Sequence, residues 1–169
     1  MALYQDPILK LIFDAIDAND GGAIQSYHYG DPVLLPKSEL PALIGQADTV
    51  NVQDYTNAED AHVMRYVLTL VTDIRDFFND PDNDETTNIH YGYQIAQKIM
   101  EERDASTYAL KATSIVDILR SNAQLANNVQ LDTENAMTIS YGFTQGLRGE
   151  NTWAWEADIS FNVFFTQER

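Results

Sequence analysis

The sequence predicts an α+β domain, a mainly antiparallel sheet with helices on one face, closing in a long β-hairpin. Three observations carry that expectation. Thr152 to Thr166 alternates almost without fault: Trp153, Trp155, Ala157, Ile159, Phe161, Val163 and Phe165 take one parity and mostly polar residues the other. Successive strand side chains point to opposite faces, so this is a strand with one dry and one wet side. Ala136 to Leu147 alternates in the same way, and Arg148-Gly149-Glu150-Asn151 between them is a glycine-containing turn of the hairpin kind. Upstream, strand-like and helix-like segments are grouped, which favours segregated layers over a wound parallel sheet.

Taken in order, Asp6-Pro7 opens a helix over Pro7 to Ala18. Asp caps free amides, and Pro at the first position gives up no hydrogen bond. Ile8, Leu9, Leu11, Ile12, Ala15 and Ile16 form its apolar face, and Asn19-Asp20-Gly21-Gly22 ends it. A short strand is expected over Ile24 to Tyr29. Gly30 to Pro41 holds Pro32, Pro36 and Pro41, three of the five prolines, and so reads as an extended connection along the domain edge. Strands follow at Leu43 to Val52, where Gly45 weakens the pattern, and at Ala61 to Ile74. In the latter, Met64, Tyr66, Leu68 and Leu70 share a face and the other face is also fairly apolar. An acidic loop, Asn79 to Thr87, leads to helices at Asn88 to Arg103 and Thr113 to Asn122. Ser114 with Asp117 approximates a capping box for the second of these. A polar segment, Asn122 to Thr133, then separates the helices from the closing hairpin. At roughly 3.3 Å per residue the last strand would reach about 50 Å, longer than one sheet normally needs. Part of the hairpin is therefore expected to bend or to leave its own sheet.

A chain of 169 residues, 44% hydrophobic, has the material for one domain with a substantial core. No transmembrane helix and no signal peptide are expected from its short apolar runs and its start. Cysteine is absent, which removes disulfides and thiolate metal sites. The net charge is −16 with only ten Lys and Arg and no basic block. Sequence-reading nucleic-acid binding, which works through cations that displace counterions, is disfavoured.

Catalytic motifs are not found. His28, His62 and His90 have no partner at ligand spacing, and no nucleophile elbow or phosphate loop occurs. Asp80, Asp82 and Asp84 alternate like the opening of a calcium loop. The sixth position is Glu85 instead of glycine and the twelfth is Tyr91, so a solvated acidic loop outweighs a weak cation site. Neither an enzyme nor a cofactor is expected.

Several segments together resemble the tail-terminator (tail-completion, neck) proteins of long-tailed bacteriophages. They are Tyr29-Gly30-Asp31-Pro32 leading to Pro36 and Leu40-Pro41-Ala42; Met100-Glu101-Glu102-Arg103-Asp104; Ile118-Leu119-Arg120-Ser121-Asn122; Ile139-Ser140-Tyr141-Gly142; and Glu156-Ala157 in the last strand. The resemblance implies a structural virion protein assembled in the host cytoplasm. It would form a homohexameric ring on the head-proximal end of the tail tube, stop tube growth and dock the head-side connector or stopper. DNA would pass through the lumen without sequence-specific contact, which an acidic subunit suits. Loops would make the contacts. The candidates are Pro32, Pro36 and Pro41, the acidic loop, Arg148 and Glu150 at the hairpin tip, and Trp153 and Trp155, which would pack on a neighbouring subunit. Two alternatives stay open: another head-tail connector component, or an acidic binding module using Asp80 to Glu85.

Overall fold

A computed structural model describes residues 5–32, 34–54, 59–73, 88–145 and 153–168. The architecture is α+β. Its elements are α1 (Pro7–Asp17), β1 (Ser26–Tyr29), β2 (Ala42–Asp54), β3 (Glu59–Asp73), α2 (Asn88–Glu101), α3 (Ile115–Ser121), β4 (Gln124–Ala126), β5 (Val129–Leu131), β6 (Thr138–Gln145) and β7 (Trp153–Glu168). They form a seven-stranded sheet in which only the β1–β2 pair is parallel.

The last strand is central in the sheet. Along one side β7 pairs with β3 over its whole length, from Asp73↔Ala154 to Glu59↔Glu168. Along the other it pairs first with β6 and then, at Phe164 and its neighbours, with β5. The expected projecting ribbon is therefore corrected: the length that outruns β6 stays in the sheet, held between β3 and β5. The short β4–β5 hairpin that does this lies in the segment expected to be only a polar connection. Val129 and Leu131 are its buried residues, too few for periodicity to reveal.

The helices lie on the face that carries Tyr66, Leu68, Leu70, Ala157, Ile159, Phe161 and Val163, and these join Leu9, Ile12, Phe13, Met100, Ile115 and Leu119 in the main core. Asp6 caps α1 as expected, its Oδ1 accepting from the amides of Ile8 and Leu9 at 2.9 and 3.3 Å. Its Oδ2 also accepts from the buried Tyr66 hydroxyl at 2.7 Å, which ties the helix start to the sheet. Gly45, which weakened the strand pattern, turns out to be required by packing. A Cβ there would lie 2.5 Å from Leu9 Cδ1 and 2.8 Å from Phe13 Cζ, so α1 seats directly on bare backbone. The capping box at α3 does not form. The Ser114 hydroxyl donates backward to the Lys111 carbonyl at 2.7 Å, and no side chain caps the helix start.

The second face is partly covered too. Leu35, from the proline segment, packs with Ala42, Ile44, Val71 and Ala154 in a separate small core, with Leu40 against it. This explains why β3 is apolar on both faces.

Candidate interaction surface

Three of the segments that carry the resemblance are far apart in sequence and meet in space. Glu101 at the end of α2, Arg103 just beyond it, Arg120 on α3, and Ile139 and Tyr141 on β6 line one groove of about 530 Å³. Glu156-Ala157 lies directly across the ladder, opposite Gly142 and Tyr141. Among the described residues β6 pairs only with β7, so it is an edge strand at this level.

Two of its polar side chains are tied to Glu101. The Tyr141 hydroxyl donates to Glu101 Oε1 at 2.9 Å, and Arg103 approaches Glu101 Oε2 at 3.5 Å. Burial, reinforced by the hydrogen bond to Glu101, pushes the Tyr141 phenol well above its ordinary value and keeps it neutral. The Tyr141 ring meets Tyr93 edge-on at 5.1 Å, and Tyr93 meets Trp155 at 5.8 Å. Leu110, Val116 and Met137 add apolar surface to a lining that also includes Arg120, Glu134 and Asn135. An aromatic stack under a fixed carboxylate is suited to receiving a side chain or strand.

Beside the groove, the loop after α2 is tightly tied. Arg103 bridges to Leu110, and Lys111 N–H donates to the Glu102 carbonyl at 2.8 Å. Asp104 Oδ1 accepts from the Ser106 hydroxyl at 2.6 Å and from the amides of Ser106 and Thr107 at 2.9 Å. The Ser106 hydroxyl and these amides hold the Asp104 carboxyl far below the usual carboxylate range. The loop displays Tyr108, 74% exposed and in the left-handed backbone region at φ 58°. A bulky residue held there on the surface is strained, and such positions cluster where a protein makes contacts.

The second feature is on the opposite side of the sheet. β1 covers β2 only at Ala42 to Gly45. Every residue from Gln46 to Gln53 is exposed, and among the described residues no strand pairs with their outer edge. Register shifts between Ala47 and Thr49, leaving Asp48 as the extra residue of a bulge. Beyond the bulge Val50 pairs with Met64 and Val52 with His62, so the valines join the helix-side face. They are 51% and 58% exposed there. Without the bulge, Thr49, Asn51 and Gln53 would take those places and the valines would lie on the other face.

The expected site residues divide. Pro32 and Pro41 are half-buried and Pro36 is exposed; their segment buries Leu35 and exposes Leu34. Trp155 is half-buried, its ring meeting Tyr93 of its own chain at 5.8 Å. Trp153 sits opposite Gln145 in the ladder. Asp80, Asp82, Asp84, Arg148 and Glu150 lie outside the described residues. Among the described residues no cluster of His, Cys, Asp and Glu is arranged to hold a metal ion, and no helix is long and apolar enough to cross a membrane. His28 meets Ser26 Oγ at 3.0 Å and Glu39 at 3.2 Å, and His62 stacks on Phe165 at 4.3 Å. The sequence reading missed Tyr108, Val50 and Val52. For the valines a signal exists: Leu43 and Ala47 have one parity and Val50 and Val52 the other, and a mid-strand change of parity marks a bulge.

Models of known protein families give no match to this sequence, and neither do functionally described proteins.

Proposed function

We propose that this protein is a structural component of a long-tailed phage neck, a ring-forming terminator of the tail tube that also docks the head-side connector. One observation supports this reading above the others. Four of the segments resembling terminator proteins, spread from Met100 to Ala157, gather beside β6 and three of them line one groove, while the Tyr29 to Ala42 segment packs elsewhere. Residues that share a resemblance and also share a site point to a common task, and here the site is a groove of mixed polar and apolar lining suited to receiving a segment of a protein.

The charge fits the same reading. A ring of subunits each carrying −16 would present DNA with a repelling wall, allowing passage without sticking. The tail tube protein and the connector would be its partners. The protein would act by shape and would require no cofactor.

The test is assembly. Purified protein is examined by multi-angle light scattering and negative-stain imaging, alone and with polymerising tail-tube protein. A closed ring that binds one end of the tube and limits tube length is the expected result. A monomer at every concentration that leaves tube length unchanged overturns the reading.

A further inference from the structure

We propose that copies of this chain join edge to edge, the bare stretch of β2 from Gln46 to Gln53 adding as a strand to the outer edge of β6 in the next copy. This deepens the ring reading above by naming its interface, and it rests on that reading for closure of the ring.

Four observations choose a second copy of this chain as the occupant. The first is direction. β2, β3, β7 and β6 are linked by three antiparallel steps, so β2 and β6 run opposite to each other. A neighbour related by rotation therefore brings its β2 antiparallel to β6 with the helix-side faces aligned, and no strand has to be inverted. The second is length: the bare stretch of β2 and the strand β6 are each eight residues long.

The third is charge. The chain carries 26 acidic residues, yet Thr138 to Gln145 contains none. Gln46 to Gln53 contains only Asp48, whose carboxylate lies 3.7 Å from Arg65. Exposed edges are ordinarily guarded by charge against pairing, and on a strongly anionic surface these two edges are left open. The fourth is side-chain fit. The bulge at Asp48 turns Val50 and Val52 toward the helix side, where they stay 51% and 58% exposed. On β6 the helix-side positions include Ile139 and Tyr141, which line the groove together with Leu110, Val116 and Met137. The valines of one copy fill the groove of the next.

The two edges sit at different levels of the sheet. β6 lies against β7 from Trp153 to Ser160, whereas the bare part of β2 lies level with the stretch of β7 beyond it. Each added copy is thus displaced along the strands by about one strand length, roughly 25 Å, as well as sideways. The contact is heterologous, the type that generates rings, and a two-fold axis cannot produce it.

The absence of cysteine makes a direct test simple. Val50→Cys, Val52→Cys and Ile139→Cys are each made singly, mixed in pairs and oxidised. Cross-linking in the Val50→Cys or Val52→Cys mixtures with Ile139→Cys, and not in any single variant alone, is the expected result. In parallel, Val50→Lys with Val52→Lys should weaken self-association roughly tenfold or more in sedimentation velocity, with an unchanged circular dichroism spectrum, because two exposed residues at an interface centre are charged. Cross-linking of Val52→Cys with itself means a β2–β2 contact and overturns the proposal. Retained assembly in the lysine variant, with no cross-link in the mixtures, overturns the interface while leaving the ring reading standing. A wild-type chain that stays monomeric at every concentration overturns both. Should the lysine variant fail to fold, the cysteine mixtures decide by themselves.

Discussion

The two ends of β2 and β3 are parts of the same strands in very different surroundings. At one end Leu43, Leu68 and Leu70 are fully buried under α1, with Leu35 closing the second face. At the other, Gln46 to Gln53 is bare on both faces and only the inner strands keep partial cover. Composition leans the same way, since Ala42 to Gly45 holds no polar side chain and Gln46 to Gln53 holds five, yet Ala47, Val50 and Val52 are apolar and still exposed. At those apolar positions the difference comes from where α1 starts, with Asp6 at Tyr66, and from β1 stopping at Tyr29. The contrast shows that burial belongs to the assembly of layers and not to a strand as such.

The comparison can be broken most forcefully at the buried end. Leu68→Ala should cost about 3–4 kcal/mol in denaturant unfolding, because a fully buried leucine leaves a cavity that β7 and α1 cannot close. Val52→Ala at the bare end should stay within about 0.5 kcal/mol for the isolated subunit. Equal losses at the two positions would show that the bare end is covered in solution. Next in size is Gly45→Val, which should cost about 1–3 kcal/mol, since its side chain meets Leu9 and Phe13 at sub-contact distance. The same substitution at Gly142, where no atom lies within 4 Å of an added Cβ, should have little effect on thermal unfolding.

A smaller effect tests the tie between α1 and the sheet. Tyr66→Phe removes the hydroxyl that donates to Asp6 and should cost about 1 kcal/mol, with the α1 cap still made by Asp6 Oδ1. An unchanged unfolding midpoint would mean that the cap alone positions the helix. The smallest effect concerns pH. Tyr27 and Tyr141 both have raised values, each through burial first and then a neighbouring carboxylate, Asp20 or Glu101. The folded chain keeps these phenols protonated while the unfolded chain ionises them near pH 10, so their contribution is complete below about pH 10 and is lost as pH rises beyond it. Phenolate absorbance should therefore show two tyrosines that titrate only with alkaline unfolding, and Tyr27→Phe with Tyr141→Phe should flatten the fall in stability above about pH 10.

Much of the fold was legible because it is written in local chemistry. The Asp6-Pro7 start of α1 and the dry face of β7 each follow from how a backbone places neighbouring side chains, and each is where it was expected, while the proline segment carries a 3₁₀ turn at Lys37–Glu39. The β4–β5 hairpin and the failed cap at Ser114 were not legible. Three-residue strands carry no period, and whether a serine faces forward to a helix or back to Lys111 depends on the loop that precedes it. The candidate surface was legible only in pieces: Glu101, Arg120 and Tyr141 stood in segments singled out by resemblance, with no sign that they share a groove.

By itself the sequence determined the class of fold, the dry face of the last strand, the start of α1 and the anionic character of the chain. The alternation and the cap are properties of a few neighbouring residues, and charge is a simple sum. Tertiary structure alone decided that the length of β7 is absorbed by β3 and β5, that Gly45 is a seat for a helix, and that a bulge at Asp48 presents two valines to an uncovered face. Each of those depends on which distant segment arrives beside which, an outcome of long-range packing that no short window of sequence contains.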